Sequence, residues 1–424
     1  MQVNNQSLNY WTQKLEVAIT VVWLLCFLDV RLPAPIPGLV KALSYPIIAI
    51  LVILRWKRFP YVATRDVPLL IYIGIAVASI LWTADAQKTA DSIRGLIRMF
   101  LLGAFIATRF KIEEQVKIFA TTFAIAAVLS FVTSIAVPSY GVFDGAWVGI
   151  FTYKNYMGYT MSIAAVIFLL FANFKQKKQN WIAWIGFGIA LSLNWFSRSA
   201  GSFVNILMLL SLVPLYRLVR QNYKLQVFLL GTICILLGTV AIFILGNMET
   251  IVVDILGKNL EFNGRTPIWN LAIEKGLDKP FLGYGLNGFW SSDAGIYIMI
   301  NTWAGLREDG FNSHNSFLEL FLNLGLFGIL MFLISLIRTF AQLFILLVKT
   351  KKIDFFIFTQ ILLFMCLAGW ADTNFLMSAS SSYCCIYVTI AISSALELER
   401  IKRNNTFNKS LVIVSKNRNF KSIY

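Results

Sequence analysis

The chain has a single histidine, His314, and it stands in Asn312-Ser313-His314-Asn315-Ser316, a polar cluster directly before an apolar run. An imidazole at such a boundary works near its own pKa and can take a proton from a hydroxyl, which makes His314 the candidate general base. The alternative is purely structural: the cluster starts a helix, with Asn312 or Ser313 as its N-cap. Glu308 and Asp309 are close enough in sequence to orient the imidazole. Cations supply the other half of the chemistry. Arg265 lies in Gly264-Arg265-Thr266-Pro267-Ile268-Trp269, Arg198 in Ser197-Arg198-Ser199, and Lys154 just before a further apolar run. Arg94 and Arg98 are four residues apart and are expected on one helix face. One or two of these side chains would snorkel to lipid phosphate. Several converging on one place suit a di-anionic ligand, because guanidinium binds phosphate oxygens in bidentate fashion.

Missing motifs narrow the chemistry. There is no Gly-rich phosphate loop for a nucleoside triphosphate. No Asp-x-Asp pair accompanies the outer cations, and one histidine does not make the usual zinc site. The expectation is a reaction without metal or cofactor, on a substrate that arrives already activated.

The elements that must position these residues are read from composition. Of 424 residues, 58% are hydrophobic and 14% charged, and the mean hydropathy is +0.70. A soluble chain of this length could not hide so much apolar surface. About twelve apolar runs have the length of a membrane-spanning helix. They lie at 15–30, 36–54, 67–83, 93–108, 115–137, 156–172, 181–196, 200–219, 226–246, 315–347, 354–371 and 377–397. The runs are continuous and do not alternate with period two, so helices are expected and not a barrel. The tenth is long enough to tilt strongly or to contain an interfacial turn. The expected fold is an all-α polytopic membrane protein forming one integral domain over 1–424. A large structured periplasmic loop, 246–314, joins helices nine and ten, and a basic cytoplasmic tail covers 398–424.

Orientation follows from Lys and Arg. With the N-terminus in the cytoplasm, most of the 37 fall on the inner side, including the clusters at 55–65, 109–117, 175–178, 217–224, 349–352 and the tail. The positive-inside rule then puts both termini in the cytoplasm, with Arg265 and His314 outside. This asymmetry also accounts for most of the net charge of +16. Nucleic-acid binding is not expected, and the tail should lie against anionic lipid. Cys26, Cys234, Cys366, Cys384 and Cys385 all fall in apolar runs and read as small buried hydrophobes. The first run lacks the features of a cleavable signal. Within the large loop, Thr266 can cap a short helix with Pro267 in its first turn, ended by Gly276 and Pro280. Ile268, Trp269, Ala272 and Ile273 would face the membrane surface, with Trp269 at headgroup level. A second outer loop, 138–155, contains Gly141, Gly145 and Gly149.

Four stretches resemble one family. They are Gly149-Ile-Phe-Thr-Tyr-Lys154-Asn155-Tyr-Met-Gly158, then Ser197-Arg198-Ser199, then Gly264 to Trp269 continuing to Lys279-Pro280-Phe-Leu-Gly283-Tyr-Gly285, and finally His314-Asn315-Ser-Phe-Leu318 through Gly325-Leu-Phe-Gly328. Their order and placement resemble the O-antigen ligase and O-antigen polymerase superfamily, including exopolysaccharide polymerases. The resemblance is best over residues 140–335. It implies a glycosyltransferase that takes a glycan from undecaprenyl diphosphate, works without metal and inverts the anomeric centre. By analogy, Arg198 and Arg265 hold the diphosphate and His314 serves the acceptor hydroxyl. Lys154, Asn155 and Asn315 carry binding or structural roles; Arg94 and Arg98 are added from topology alone. A polymerase takes another lipid-linked glycan as acceptor and a ligase takes the lipid A core, and Tyr153-Lys154-Asn155 favours the polymerase slightly. The rival expectation is a transporter or flippase of an anion or a lipid-linked glycan. It is disfavoured because the polar candidates gather at the outer edge and no inverted repeat is visible. A scaffold subunit would leave His314 replaceable.

Overall fold

The computed structural model describes residues 2–175, 180–219, 264–305 and 311–420. Eighteen elements follow in chain order: α1 (Gln2–Cys26), α2 (Ile36–Ile53), α3 (Phe59–Ala63), α4 (Val67–Ala78), α5 (Ala86–Arg109), α6 (Ile112–Ala136), α7 (Pro138–Gly141), β1 (Val142–Phe143), β2 (Ala146–Trp147), α8 (Lys154–Leu170), α9 (Asn180–Phe196), α10 (Ala200–Leu212), α11 (Leu215–Val219), α12 (Arg265–Gly276), α13 (Asp293–Ile300), α14 (Ser316–Thr350), α15 (Ile353–Ala371) and α16 (Ser382–Phe420). Each expected apolar run within these residues falls on a helix. The ninth run, 226–246, and the first part of the large loop lie outside the described residues. Among the described residues six helices are long and apolar enough to cross a membrane: Ile36–Ile53, Ile112–Ala136, Lys154–Phe174, Ala200–Leu218, Ser316–Thr350 and Ile353–Ala371. Helices α1 and α5 open with polar turns that shorten their apolar stretch. Helix α16 passes from the last apolar run into the basic tail without a break.

Helix α8 is apolar on nearly every side and sits at the centre, flanked by α6, α9, α10 and α15. An all-round apolar helix is stable only when surrounded. Small residues set the close approaches. A Cβ on Gly103 of α5 would lie 2.7 Å from the Cys385 carbonyl oxygen and 2.8 Å from the Val388 Cβ of α16. Where apolar lipid offers no drive for helix association, such packing supplies it. Interhelical hydrogen bonds add to it: Thr160 with Tyr383 at 2.8 Å, and Ser335 with Tyr387 at 2.7 Å.

The long tenth run, whose length allowed either a strong tilt or an interfacial turn, is interrupted along its length. Helix α14 breaks at Gly325, where φ is 61° and ψ is −164°. The break frees backbone groups that would be costly to leave unpaired. Residues 280–285 satisfy them. Leu326 N donates to the Pro280 carbonyl (2.7 Å) and Phe327 N to the Phe281 carbonyl (3.2 Å). In return Tyr284 N and Gly285 N donate to the carbonyls of Leu322 (3.0 Å) and Asn323 (2.9 Å). Gly283 (φ 65°) has no room for a side chain, since a Cβ there would meet Asn323 backbone atoms at 2.7 Å. Two of the motif stretches are therefore two sides of one backbone clamp.

The bundle has two unlike ends. One is held by ion pairs: Arg55 and Arg109 to Glu16, Arg65 and Arg403 to Glu399, and Lys352 to Glu113. At the other end loops interlock. Arg31 N donates to the Ile150 carbonyl (2.7 Å), Thr152 N to the Asp29 carbonyl (3.1 Å), and Ser382 N to the Phe27 carbonyl (2.8 Å). The candidate residues lie at this second end.

Candidate active site

Helix α12 begins at Arg265 behind Gly264, not behind Thr266. Gly264 takes a left-handed φ of 78°, and its carbonyl accepts a 2.7 Å hydrogen bond from Trp303 Nε1. This fixes Arg265 at the first helical position, where Nη1 donates to the Ala371 carbonyl at 2.7 Å. The next carbonyl, that of Asp372, accepts from Ser316 Oγ at 2.6 Å. Arg265 and the segment after His314 thus grip adjacent peptide groups at the end of α15. Trp269 completes the link: its Nε1 donates to the Ser313 carbonyl at 2.8 Å and its ring packs on Trp370. Trp269 is half-buried, and of its helix Ile268 and Ala272 face inward while Ile273 is exposed. The helix end at Gly276 is as expected.

His314 is half-buried and adopts φ 50°, a conformation that costs a non-glycine residue about 1–3 kcal/mol and persists only where surroundings impose it. Its backbone N donates to Asn312 Oδ1 (2.9 Å), and its ring lies edge-on to Phe311. The cap of α14 is neither Asn312 nor Ser313 but Asn315, whose Oδ1 accepts from Phe317 N (3.0 Å) and Leu318 N (3.2 Å). Glu308 and Asp309 lie outside the described residues. The acid that shapes this loop is Glu319, which accepts from Ser313 N (3.0 Å), Ser313 Oγ (2.8 Å) and Trp290 Nε1 (2.9 Å).

Arg198 is exposed at the turn between α9 and α10, with φ 49°. Its Nη1 lies 3.2 Å from the position a Cβ on Gly145 would occupy, and Gly145 itself takes φ 67°, so the β1–β2 turn packs closely against Arg198. The two motif stretches that carry Arg198 and Lys154 also pack together: a Cβ on Gly158 would lie 2.7 Å from Ser197 Oγ, and Asn194 Nδ2 donates to the Gly158 carbonyl at 2.8 Å. Lys154 is exposed and Asn155 half-buried at the start of α8. Tyr159, one turn further, adjoins Gly201 just after Arg198 and interacts electrostatically with Arg265. Arg198, Lys154, Arg265 and the His314 loop are thus brought to one region.

Arg94 and Arg98 are separated despite their spacing. Arg94 is exposed and ion-paired with Asp91. Arg98 is buried, with its guanidinium over Phe27 (4.4 Å) and Tyr45 (5.1 Å), donating to Ser44 and Ser380 at 3.3 Å each. It reaches the loop 372–381 at the end opposite Asp372.

Two acids in this region carried no assignment from sequence. Asp372 is buried, and burial pushes its pKa up to about 6 while the backbone N–H of Asn374, the Arg265 charge and the N–H of Thr373 pull it back. Asp29 is also raised by burial, and its Oδ2 accepts from Asn374 Nδ2 at 3.2 Å. The signal was the short polar break Asp372-Thr373-Asn374 between two apolar runs on the same side as His314. Among the described residues no carboxylate forms an ion pair with Arg98, Lys154, Arg198 or Arg265. Also among these residues, no group of three or more His, Cys, Asp or Glu is arranged to hold a metal ion.

The segment bearing these residues has known relatives. A family described as O-antigen ligase matches residues 145–333. That match covers less than half of the chain and supports a likeness of this segment to the O-antigen ligases and polymerases. Exopolysaccharide production protein ExoQ of Rhizobium meliloti (strain 1021) is 25% identical over 218 residues, which is 47% of this chain and 48% of that protein. The match thus spans about half the length of that curated relative. The superfamily segment begins in the β1–β2 turn beside Arg198 and ends beyond the Gly325 break, so it takes in Lys154, Arg198, Arg265 and His314.

Proposed function

We propose that the protein transfers a glycan from undecaprenyl diphosphate to an acceptor hydroxyl at the periplasmic face of a bacterial inner membrane. The observation that carries this reading is the joining of Arg265 and the His314 segment through adjacent carbonyls of Ala371 and Asp372. An arginine that forms no ion pair among the described residues and a histidine held in a fixed backbone conformation then share one neighbourhood at the end of the bundle. The His314 imidazole takes the acceptor proton as the hydroxyl oxygen attacks the anomeric carbon. The bond from that carbon to the phosphate oxygen breaks, and the diphosphate leaves with the electron pair. Arg265 and Arg198 stabilise the charge gathering on it. Attack opposite the leaving group inverts the centre. Lys154 and Asn155 line the same approach. No metal takes part in this scheme. Tyr153-Lys154-Asn155 tips this reading slightly to the polymerase, with a second lipid-linked glycan as acceptor.

The test is a purified assay with lipid-diphosphate glycan and acceptor, with and without EDTA. Wild type is expected to form product in both, and His314→Ala and Arg265→Ala in neither. Normal turnover by both variants would reject the site, and loss of wild-type product in EDTA would reject the metal-free scheme. Tracer flux in vesicles without acceptor would favour transport.

A further inference from the structure

At the ion-paired end, remote from the site above, a cavity of about 490 Å³ opens between α3, the α5–α6 junction, the start of α15 and α16. Six cations line it against three carboxylates. Four of the cations are matched: Lys352 to Glu113, Arg400 to Glu397, Arg403 to Glu399, and Arg109 to Glu16. Glu16 lies outside the lining and is itself shared with Arg55. The two that remain, Arg58 and Lys111, form no ion pair among the described residues and are exposed. The lining therefore carries a net positive charge that its own acids do not cancel.

The second observation concerns the lining's deepest polar groups. Gln115 and Ser393 are 1% and 3% exposed, and both line the cavity. Gln115 donates through Nε2 to the Phe110 carbonyl, but among the described residues its Oε1 accepts nothing and Ser393 Oγ neither donates nor accepts. Buried polar atoms are rarely left so, because each forfeits its hydration without return. The two orphans belong to side chains that line a space large enough for a small ligand. Their needs are specific. Gln115 Oε1 needs a donor, Ser393 Oγ can donate to an anionic oxygen, and Arg58 and Lys111 add charge at the mouth.

We propose that this cavity binds a phosphate ester bearing a free hydroxyl. The phosphoryl oxygens meet Arg58, Lys111 and Ser393 Oγ, and the ligand hydroxyl donates to Gln115 Oε1. A glycerol-phosphate lipid headgroup and a free glycerol or sugar phosphate share this chemistry. The Lys and Arg asymmetry assigns this end to the cytosol, where both occur.

The experiment uses the delipidated full chain in neutral detergent, or in phosphatidylcholine discs doped with phosphatidylglycerol. Radiolabelled glycerol 3-phosphate in equilibrium dialysis probes the free ester. Native mass spectrometry of retained phosphatidylglycerol, against phosphatidylethanolamine, probes the headgroup. Saturable binding of the first identifies a soluble ligand, and selective retention of the second identifies a lipid; either supports the site. Arg58→Ala/Lys111→Ala should weaken the bound probe by at least about tenfold. Ser393→Ala changes no charge and removes a hydroxyl that bonds nothing among the described residues. It should keep its melting temperature and still weaken binding several-fold, separating a built site from general attraction. Wild type binding neither probe above the phosphatidylcholine background would overturn the proposal, as would both variants binding like wild type.

Discussion

The two ends of the bundle use the same cation in opposite ways. At one end arginine is structural: Glu16 alone holds Arg55 and Arg109, and Glu399 holds Arg65 and Arg403. At the other, Arg265 is steadied by a backbone carbonyl, and Arg198 projects from a turn with no acid against it. An ion pair satisfies a guanidinium, whereas a single carbonyl orients it and leaves its charge for a ligand. The backbone follows the same division. Left-handed residues gather at the loop end, at Arg198, Gly264, Gly283, Gly285, His314 and the nearby Gly325. Cations without an ion pair occur at both ends, since Arg58 and Lys111 also form none among the described residues; what distinguishes the loop end is that Arg198 and Arg265 sit on or beside left-handed backbone.

The sharpest way to break this contrast is to delete one key group at each end. His314→Ala should cost roughly 10²–10⁴-fold in turnover, the usual worth of a positioned base, with little change in melting temperature. Glu16→Ala should do the reverse. It strands two partly buried arginines and should destabilise by about 1–3 kcal/mol in detergent melts, reduced from the fully buried case because Arg55 remains about a third exposed. Its turnover at a temperature where it stays folded should be near wild type. If Glu16→Ala abolished transfer as fully as His314→Ala, the division of labour would fail. Next in size is Arg265→Lys, which keeps the charge and removes the fork. One ammonium cannot both hold the Ala371 carbonyl and embrace a diphosphate. A fall in kcat/KM of about 10- to 100-fold is expected, against unchanged activity if charge alone sufficed.

How far the sequence foretold this varies with the kind of interaction. The apolar runs fell on helices because their signal is local and repeated. The break in α14 was legible as excess length. Its partner was not, because residues 280–285 meet 322–327 through backbone atoms, which leave no trace in side-chain pattern. The cap of α14 was misplaced by two or three residues, since Asn312, Ser313 and Asn315 are all good caps and only the chain path chooses. Spacing put Arg94 and Arg98 on one face, yet one turn along α5 carries the chain from an exposed rim into the packing of α2 and α16. Asp372 was overlooked because its three-residue polar break is shorter than any loop that attracts attention.

A glycine substitution tests the backbone clamp without touching a charged group. Gly283→Ala places a Cβ at 2.7 Å from Asn323 backbone atoms and requires φ 65° of a residue that resists it. Destabilisation of about 1–3 kcal/mol is expected from melts. Because 280–285 steadies the first turns of α14, turnover should fall with it. A fully stable Gly283→Ala would show that the clamp adjusts freely.

The smallest effect is a pH dependence at the loop end. The folded pKa of Asp372 is about 6, above the ordinary 3.8, because burial outweighs Arg265 and the backbone N–H groups. Between those values the native state holds more protons than the unfolded chain, so stability falls as pH rises from about 4 to about 6 and returns on acidification. The separation corresponds to at most about 3 kcal/mol. Asp372→Asn removes the titration and leaves a neutral group in the same space, so its melting temperature should vary less across this window. Asp29, raised by burial in the same direction, leaves a residual slope. The ion-paired end predicts the opposite sign: Glu399 is held below its ordinary value, first by Arg403 and then by Tyr61, so its contribution is lost on acidification. Stability profiles of Asp372→Asn and Glu399→Gln that departed from wild type in the same direction below pH 6 would erase the electrostatic distinction between the two ends.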